Sequence, residues 1–276
     1  MAANLDIPPS FYGELITSTT RVVTWNVWGR YGPWQEREEA IVATLKQAGP
    51  DIVVLAESWA RDNDSQCARL ARPLGLPHHA FNGVPAQEDE SALSGVGVMS
   101  RWPISSSASL AFGSLRVQFA RVDGPRGPLQ VYGVVMDAWW LDESQARQDA
   151  VRGLLQHLHK SQDDRTPMIV CGDFNADPDS DEMRLMTGRA AAPVQGLSFY
   201  DAWDFAAVGG RGSTWSNANP WATQLLWPDR RIDYIFSAAP RRGGAGHPVA
   251  AALIATEPVQ GTYPSDHFGV QADLRY

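Results

Sequence analysis

Short runs of β-branched and apolar residues recur along the chain, separated by polar stretches that carry Gly and Pro. "RVVTWNVWG" (21–29), "DIVVLAE" (51–57), "SGVGVMS" (94–100), "LRVQFARVD" (115–123) and "LQVYGVVM" (129–136) read as strands. Between the first two, Trp34, Ile41, Leu45 and Ala48 fall at helical spacing, and Gly49 and Pro50 stop that helix. After 129–136, Ala146, Ala150, Leu154, Leu155 and Leu158 repeat with a helical period behind a cap at Asp142 or Ser144. "MIVC" (168–171) is a further strand, followed by a polar loop and a short helix from Asp181 to Met186. "IDYIFS" (232–237), "VAAALIAT" (249–256) and "HFGVQADL" (267–274) complete the pattern. Helices are fewer than strands and do not follow each one. That predicts two packed sheets with helices outside, in preference to a simple parallel sheet. "GGRGS" and "APRRGGAG" read as loops, and no linker or tandem repeat divides the chain, so one domain is expected over 1–276, with 1–20 an N-terminal extension.

Composition narrows the class. The chain has 276 residues, 44% hydrophobic and 20% charged, enough for a sizeable core in a soluble globular protein. A net charge of −8 argues against a sequence-independent nucleic-acid coat, which needs a basic surface. It leaves phosphate chemistry open, because bound cations reverse a local field. Two cysteines make no disulfide framework, and Cys171, at the end of an apolar run, reads as a small buried hydrophobe. No secretory signal and no transmembrane run is evident, so a cytoplasmic location is expected, and no partner protein is indicated.

Polar residues cluster at strand ends. Asn26 ends the first strand, Glu57 the second, and Asp173 and Asn175 follow "MIVCG". Asp233 falls inside "RRIDYIF", and Asp266 and His267 precede the last strand. Each alone has an ordinary structural reading: a turn, a helix cap, a hydrogen-bonded histidine. Asp233 resists that reading, since an unpaired buried carboxylate is costly, and it calls for a partner such as a histidine. Together they offer hard oxygen ligands suited to Mg²⁺ or Mn²⁺, not zinc. An Asp–His pair adds a positioned acid or base, and an amide adds a donor to a charged transition state. That equipment suits attack of water on phosphorus.

"TWNVWG", "LAES", "GDFNADPDS", "GSTW", "RRIDYIF" and "YPSDHFGV", in this order, resemble the endonuclease/exonuclease/phosphatase superfamily over Arg21 to Leu274. The resemblance implies a four-layer α/β/β/α sandwich of the deoxyribonuclease I type, with the site at one edge between the sheets. It implies a metal-dependent phosphoester hydrolase, whether nuclease or lipid or small-molecule phosphoesterase, with a phosphoester substrate as its partner. It carries the principal metal ligand onto Glu57, metal or phosphate orientation onto Asn26, and a place near the metal onto Asp266. Asp173 would align or deprotonate the water, Asn175 contact the phosphoryl oxygens, and Asp233 hold the catalytic His267. Whether that histidine acts as base or as cation stays open.

One departure stands out. Many relatives carry a Thr-His pair at the end of a middle strand, before a helix with an arginine. Arg147 fits that arginine, but the histidine position falls on Val134 or Val135, most simply Val135, and valine cannot donate a hydrogen bond. An alternative reading is therefore a binding or regulatory protein on the same fold with weakened catalysis. The chain also has 11 tryptophans. Trp139 and Trp215 are candidates for a substrate-stacking wall, with core packing the ordinary alternative, and Arg231 is a candidate phosphate contact.

Overall fold

The short β-branched runs form strands because their side chains pack on pleated surfaces, and the runs of helical period form helices that cover them. The structure, a computed structural model, describes residues 12–86, 91–137, 143–163 and 165–276. In chain order the elements are β1 (Thr19–Asn26), α1 (Trp34–Ala48), β2 (Ile52–Arg61), β3 (Asp64–Ser65), α2 (Gln66–Leu74), β4 (His78–Pro85), β5 (Leu93–Ser100) and β6 (Ile104–Phe112). There follow β7 (Leu115–Gly124), β8 (Gly127–Met136), α3 (Ser144–Ser161), β9 (Met168–Asp173), α4 (Asp181–Met186), β10 (Phe199–Asp201) and α5 (Ala202–Ala206). The last strands are β11 (Asp233–Ala238), β12 (Pro248–Ile254) and β13 (Gly269–Arg275).

Among the described residues the strands form two sheets. One has the order β12-β13-β1-β2-β5-β4, with β3 paired to β2, and the other β10-β11-β9-β8-β7-β6. Each is mixed: β1 and β2 are parallel, as are β8 and β9, while the flanking pairs are antiparallel. Valines and other small apolar residues from both sheets, among them Val54, Val98, Val131, Ile169 and Val270, fill the space between them. Outside the first sheet, Ile41 and Leu45 of α1 and Leu70 of α2 pack on Val23 and Val53. Outside the second, Val151, Leu154 and Leu158 of α3 and Met183 and Met186 of α4 pack on Val134 and Phe236. The result is the four-layer α/β/β/α sandwich. At Gly133 the sheets approach so closely that a Cβ would lie 2.9 Å from Val54 and 3.0 Å from Val98.

The structure adds elements that the hydrophobic pattern hides. α2 carries Pro73 in its last turn and is defined instead by its ends: Ser65 accepts from the Ala68 amide at 3.2 Å, and Gly75 closes it at φ 65°. β4 and β6 are the outermost strands of their sheets, and β6 is built largely from exposed Ser and Ala. The expected strand 51–57 runs on to Arg61 through a bulge between Ala56 and Ser58. The expected cap at Asp142 lies outside the described residues.

Candidate active site

The two parallel strand pairs end at the same edge of the sandwich, and their last residues carry the polar cluster. Glu57 is the extra residue of the β2 bulge and has a left-handed backbone, φ 53°. A bulge re-aims one side chain without ending the strand, so Glu57 turns into the cleft while its neighbours stay in the ladder. Asn175 follows β9 with φ 49°, and its amide donates to Asp173 Oδ1 at 2.8 Å. Trp28 follows β1 with φ 54°, its amide donating to Asn26 Oδ1 at 2.9 Å. Left-handed backbone at three non-glycine residues round one cleft is strain held by the surrounding structure, the kind that gathers at functional sites. Gly172 is required just before Asp173: its φ is 149°, and a Cβ there would sit 1.9 Å from the Val134 carbonyl oxygen.

The Asn26 amide joins the sheets. Its Nδ2 donates to Glu57 Oε1 and to Asp173 Oδ2, both at 2.9 Å. Asn175 Nδ2 donates to the Met136 carbonyl at 2.7 Å, which ties the GDFN turn to β8. Opposite, His267 Nδ1 lies 2.8 Å from Asp233 Oδ2, both groups being buried. Trp215 packs edge-on against the imidazole, with ring centroids 5.1 Å apart. Ser265 donates to the Asn26 carbonyl at 2.7 Å, and its hydroxyl oxygen lies 3.2 Å from Asp266 Oδ1. Below, the buried Arg37 guanidinium donates to the carbonyls of Val27, Trp28, Gly29, Tyr31 and Pro264, lashing the loop after β1 to the loop before His267.

The electrostatics follow from burial and crowding. Burial and the charge of Asp233 push the Asp173 carboxyl up to about 7, against the stabilising effect of His267 and Asn26. Burial opposes charge on His267, but Asp233, Asp266 and Asp173 outweigh it and hold the imidazolium up to about 10. Burial and Glu57 raise Asp266 to about 6, despite His267. Asp173, Asp233 and His267 offer ligand atoms within 4.8 Å of one another. The Asp233–His267 bond already engages two of that group, so the oxygen-rich side at Glu57 suits a hard cation better.

The endonuclease/exonuclease/phosphatase family model matches residues 23–267, a span that contains every one of these side chains. The chain belongs to that family. A solved endonuclease/exonuclease/phosphatase from Beutenbergia cavernae DSM 12333 is 26% identical with a TM-score of 0.70, the match covering 94% of this chain and 72% of that one. A truncated Caenorhabditis elegans TDP2 superposes with a TM-score of 0.72 at 15% identity, covering 95% of this chain and 100% of that one. D. rerio TDP2, solved with a single-strand DNA product, gives 0.70 at 20% identity, covering 94% and 100%. An uncharacterised C. elegans protein, F14F9.5, is 22% identical over 302 residues, 93% of this chain and 91% of that protein.

Within this family frame the structure brings together Asn26, Glu57, Asp173, Asn175, Asp233, Asp266 and His267. Trp215 braces His267 and is only 5% exposed, so it offers little open face for stacking. Trp139 lies outside the described residues. Arg231 is corrected: it is only 5% exposed, and its two terminal nitrogens are taken by Asp201 and by Asp204 at the β10–α5 corner, away from the Asp233–His267 pair, so it is not placed to meet a substrate phosphate. Its neighbour Arg230 instead supports the GDFN turn, donating to Asp177 at 2.9 Å and to the Asn175 carbonyl at 3.2 Å. Arg147 pairs with Glu182 and joins α3 to α4.

Val135, the position matched to the family histidine, faces between the sheets, with Val134 turned to the outer core; at 4% exposed it belongs to the packed interior. The polar groups nearby are Asp137, which the sequence places beside the cleft, and Arg116, which it does not single out. Arg116 of β7 is the register partner of Val135, and its Nη2 binds the carboxylate of Asp137, just beyond β8. Only pairing across strands places Arg116 at the cleft. Arg37 was hidden for a similar reason, since its helix position looks like an ordinary surface arginine.

Proposed function

We propose that this chain is a divalent-metal-dependent phosphoester hydrolase that activates water for attack on phosphorus. The observation that carries it is the Asn26 amide holding Glu57 and Asp173 across the two sheets, beside a buried Asp233–His267 pair. Family members are typically phosphoester hydrolases, and the D. rerio TDP2 that shares this fold was solved with a single-strand DNA product, which makes DNA one substrate class to test.

The residues fit a hard cation. Glu57 is half-buried, and its charge adds to burial in raising Asp266 against the pull of His267, so two carboxylates crowd one place. Glu57 would hold Mg²⁺ or Mn²⁺, with Asn26 orienting its carboxylate and Asp266 close behind. The ion would neutralise charge on the phosphoryl oxygens. Asp173, raised to about 7, is poised near neutral pH to take a proton from water. His267, cationic at that pH, faces the developing negative charge as a donor, held in place by Asp233.

The test is a panel of single- and double-stranded DNA, RNA, sphingomyelin and nitrophenyl phosphoesters, with Mg²⁺, Mn²⁺ or EDTA. Hydrolysis of at least one member is expected with metal and not in EDTA. No turnover anywhere, or turnover that survives full chelation, overturns the proposal.

A further inference from the structure

Asp173, Val135 and Arg116 lie side by side on three neighbouring strands. Val135 is the register partner of Asp173 on β9 and of Arg116 on β7. Paired residues on adjacent strands share a face, so all three look between the sheets. At the usual spacing of about 4.8 Å per strand, the Arg116 Cα is about 10 Å from that of Asp173. Asp233, on β11, pairs with Asp173 from the opposite side. The cleft therefore has the cation His267 toward one end and Arg116 toward the other, with Glu57 near enough to act on the guanidinium.

Arg116 is only partly satisfied. Its Nη2 binds Asp137, but its Nε is buried and has no acceptor among the described residues. Its side chain is 19% exposed, so it borders solvent. A buried donor left unmade is costly, and a guanidinium fork matches an oxyanion with more than one oxygen. Val135, between Arg116 and Asp173, supplies no polar group.

We propose that Arg116 is a second anion-binding position, taking a phosphate that flanks the scissile one. This rests on the phosphoester-hydrolase reading. It favours substrates with a second phosphate beside the bond that is cut, over isolated phosphoesters. Asp137 binds Nη2 and so competes with an incoming anion for the guanidinium.

Titration calorimetry in Mg²⁺ buffer, comparing adenosine 3′,5′-bisphosphate with AMP, tests this. Wild type is expected to bind the bisphosphate about 10- to 100-fold more tightly, the value of a charge-assisted contact. Arg116→Gln should bring the ratio close to one, and Arg116→Lys should restore part of it. Asp137→Asn, at an exposed position, removes the competing carboxylate and should widen the ratio, which keeps the test open if Arg116→Gln does not fold. Equal affinities in wild type, a ratio retained in Arg116→Gln, or one not widened in Asp137→Asn overturns the proposal. The readout does not involve hydrolysis. A missing ratio in a protein that shows metal-dependent turnover sinks the Arg116 position alone, whereas a retained ratio without turnover sinks the hydrolase reading.

Discussion

Removing Arg37 should cost more stability than any other single arginine around the site. Its guanidinium makes six hydrogen bonds of 2.8 to 3.2 Å to five carbonyls, and among the described residues no carboxylate is hydrogen-bonded to it. Burial pulls it down to about 10, so it is held against a desolvation penalty by those carbonyls, with help from Asp266 and Glu57. Arg37→Met keeps the packing volume and deletes every donor. The carbonyls of Val27, Gly29 and Pro264 are then left in buried surroundings, each worth roughly 1–3 kcal/mol when unsatisfied. Relief of the buried charge offsets part of this, so the net loss should be about 4 kcal/mol, or a melting temperature lower by about 10 °C. Arg37→Lys keeps a charge but has three donors for five carbonyls, and should fall between. Urea and thermal denaturation read both variants. If Arg37→Met lies within about 1 kcal/mol of wild type, the two loops are held by something else and the argument fails.

Three further outcomes follow from the site. Asp173→Asn should lose at least about 10²-fold in turnover with only a small change in melting temperature, because relief of an acid disfavoured by burial and Asp233 offsets the one acceptor lost to Asn26 or Asn175; a large drop in stability with activity kept would contradict this. Asp233→Asn should let the imidazolium fall from about 10 toward the 6.5 of free imidazole, so its variant-to-wild-type rate ratio should worsen from pH 6 to pH 8, where only about 3% would stay charged; a ratio flat in pH refutes His267 as the cation. Cys67 and Cys171 are buried and uncoupled from any base, burial pushing the Cys67 thiol up to about 12, so neither should react with iodoacetamide until the protein unfolds.

Much of this protein is legible in one dimension. Strands buried on both faces are mostly apolar, so Val22–Trp25, Ile52–Leu55 and Met168–Cys171 announce themselves, and the short helix read near Asp181 to Met186 is α4. The polar residues that end those strands are visible because a carboxylate after an apolar run needs a reason. Two edge strands were not visible: β4 and β6 bond on one side and are free to be polar, so no periodicity marks them, whereas the apolar edge strand β12 was read. The reach of β2 past Glu57 was also hidden, since a bulge is a backbone event that leaves the residue string unchanged. Tertiary structure alone decided which cations serve the cleft. "RRIDYIF" presents two adjacent arginines, yet opposite acids take both, Arg230 by Asp177 and Arg231 by Asp201 and Asp204. Arg116, unremarkable in its strand, reaches the cleft through register with Val135 and Asp173. A sequence states which groups can carry charge; the pairing of distant strands determines which charges are spent on one another and which face the substrate.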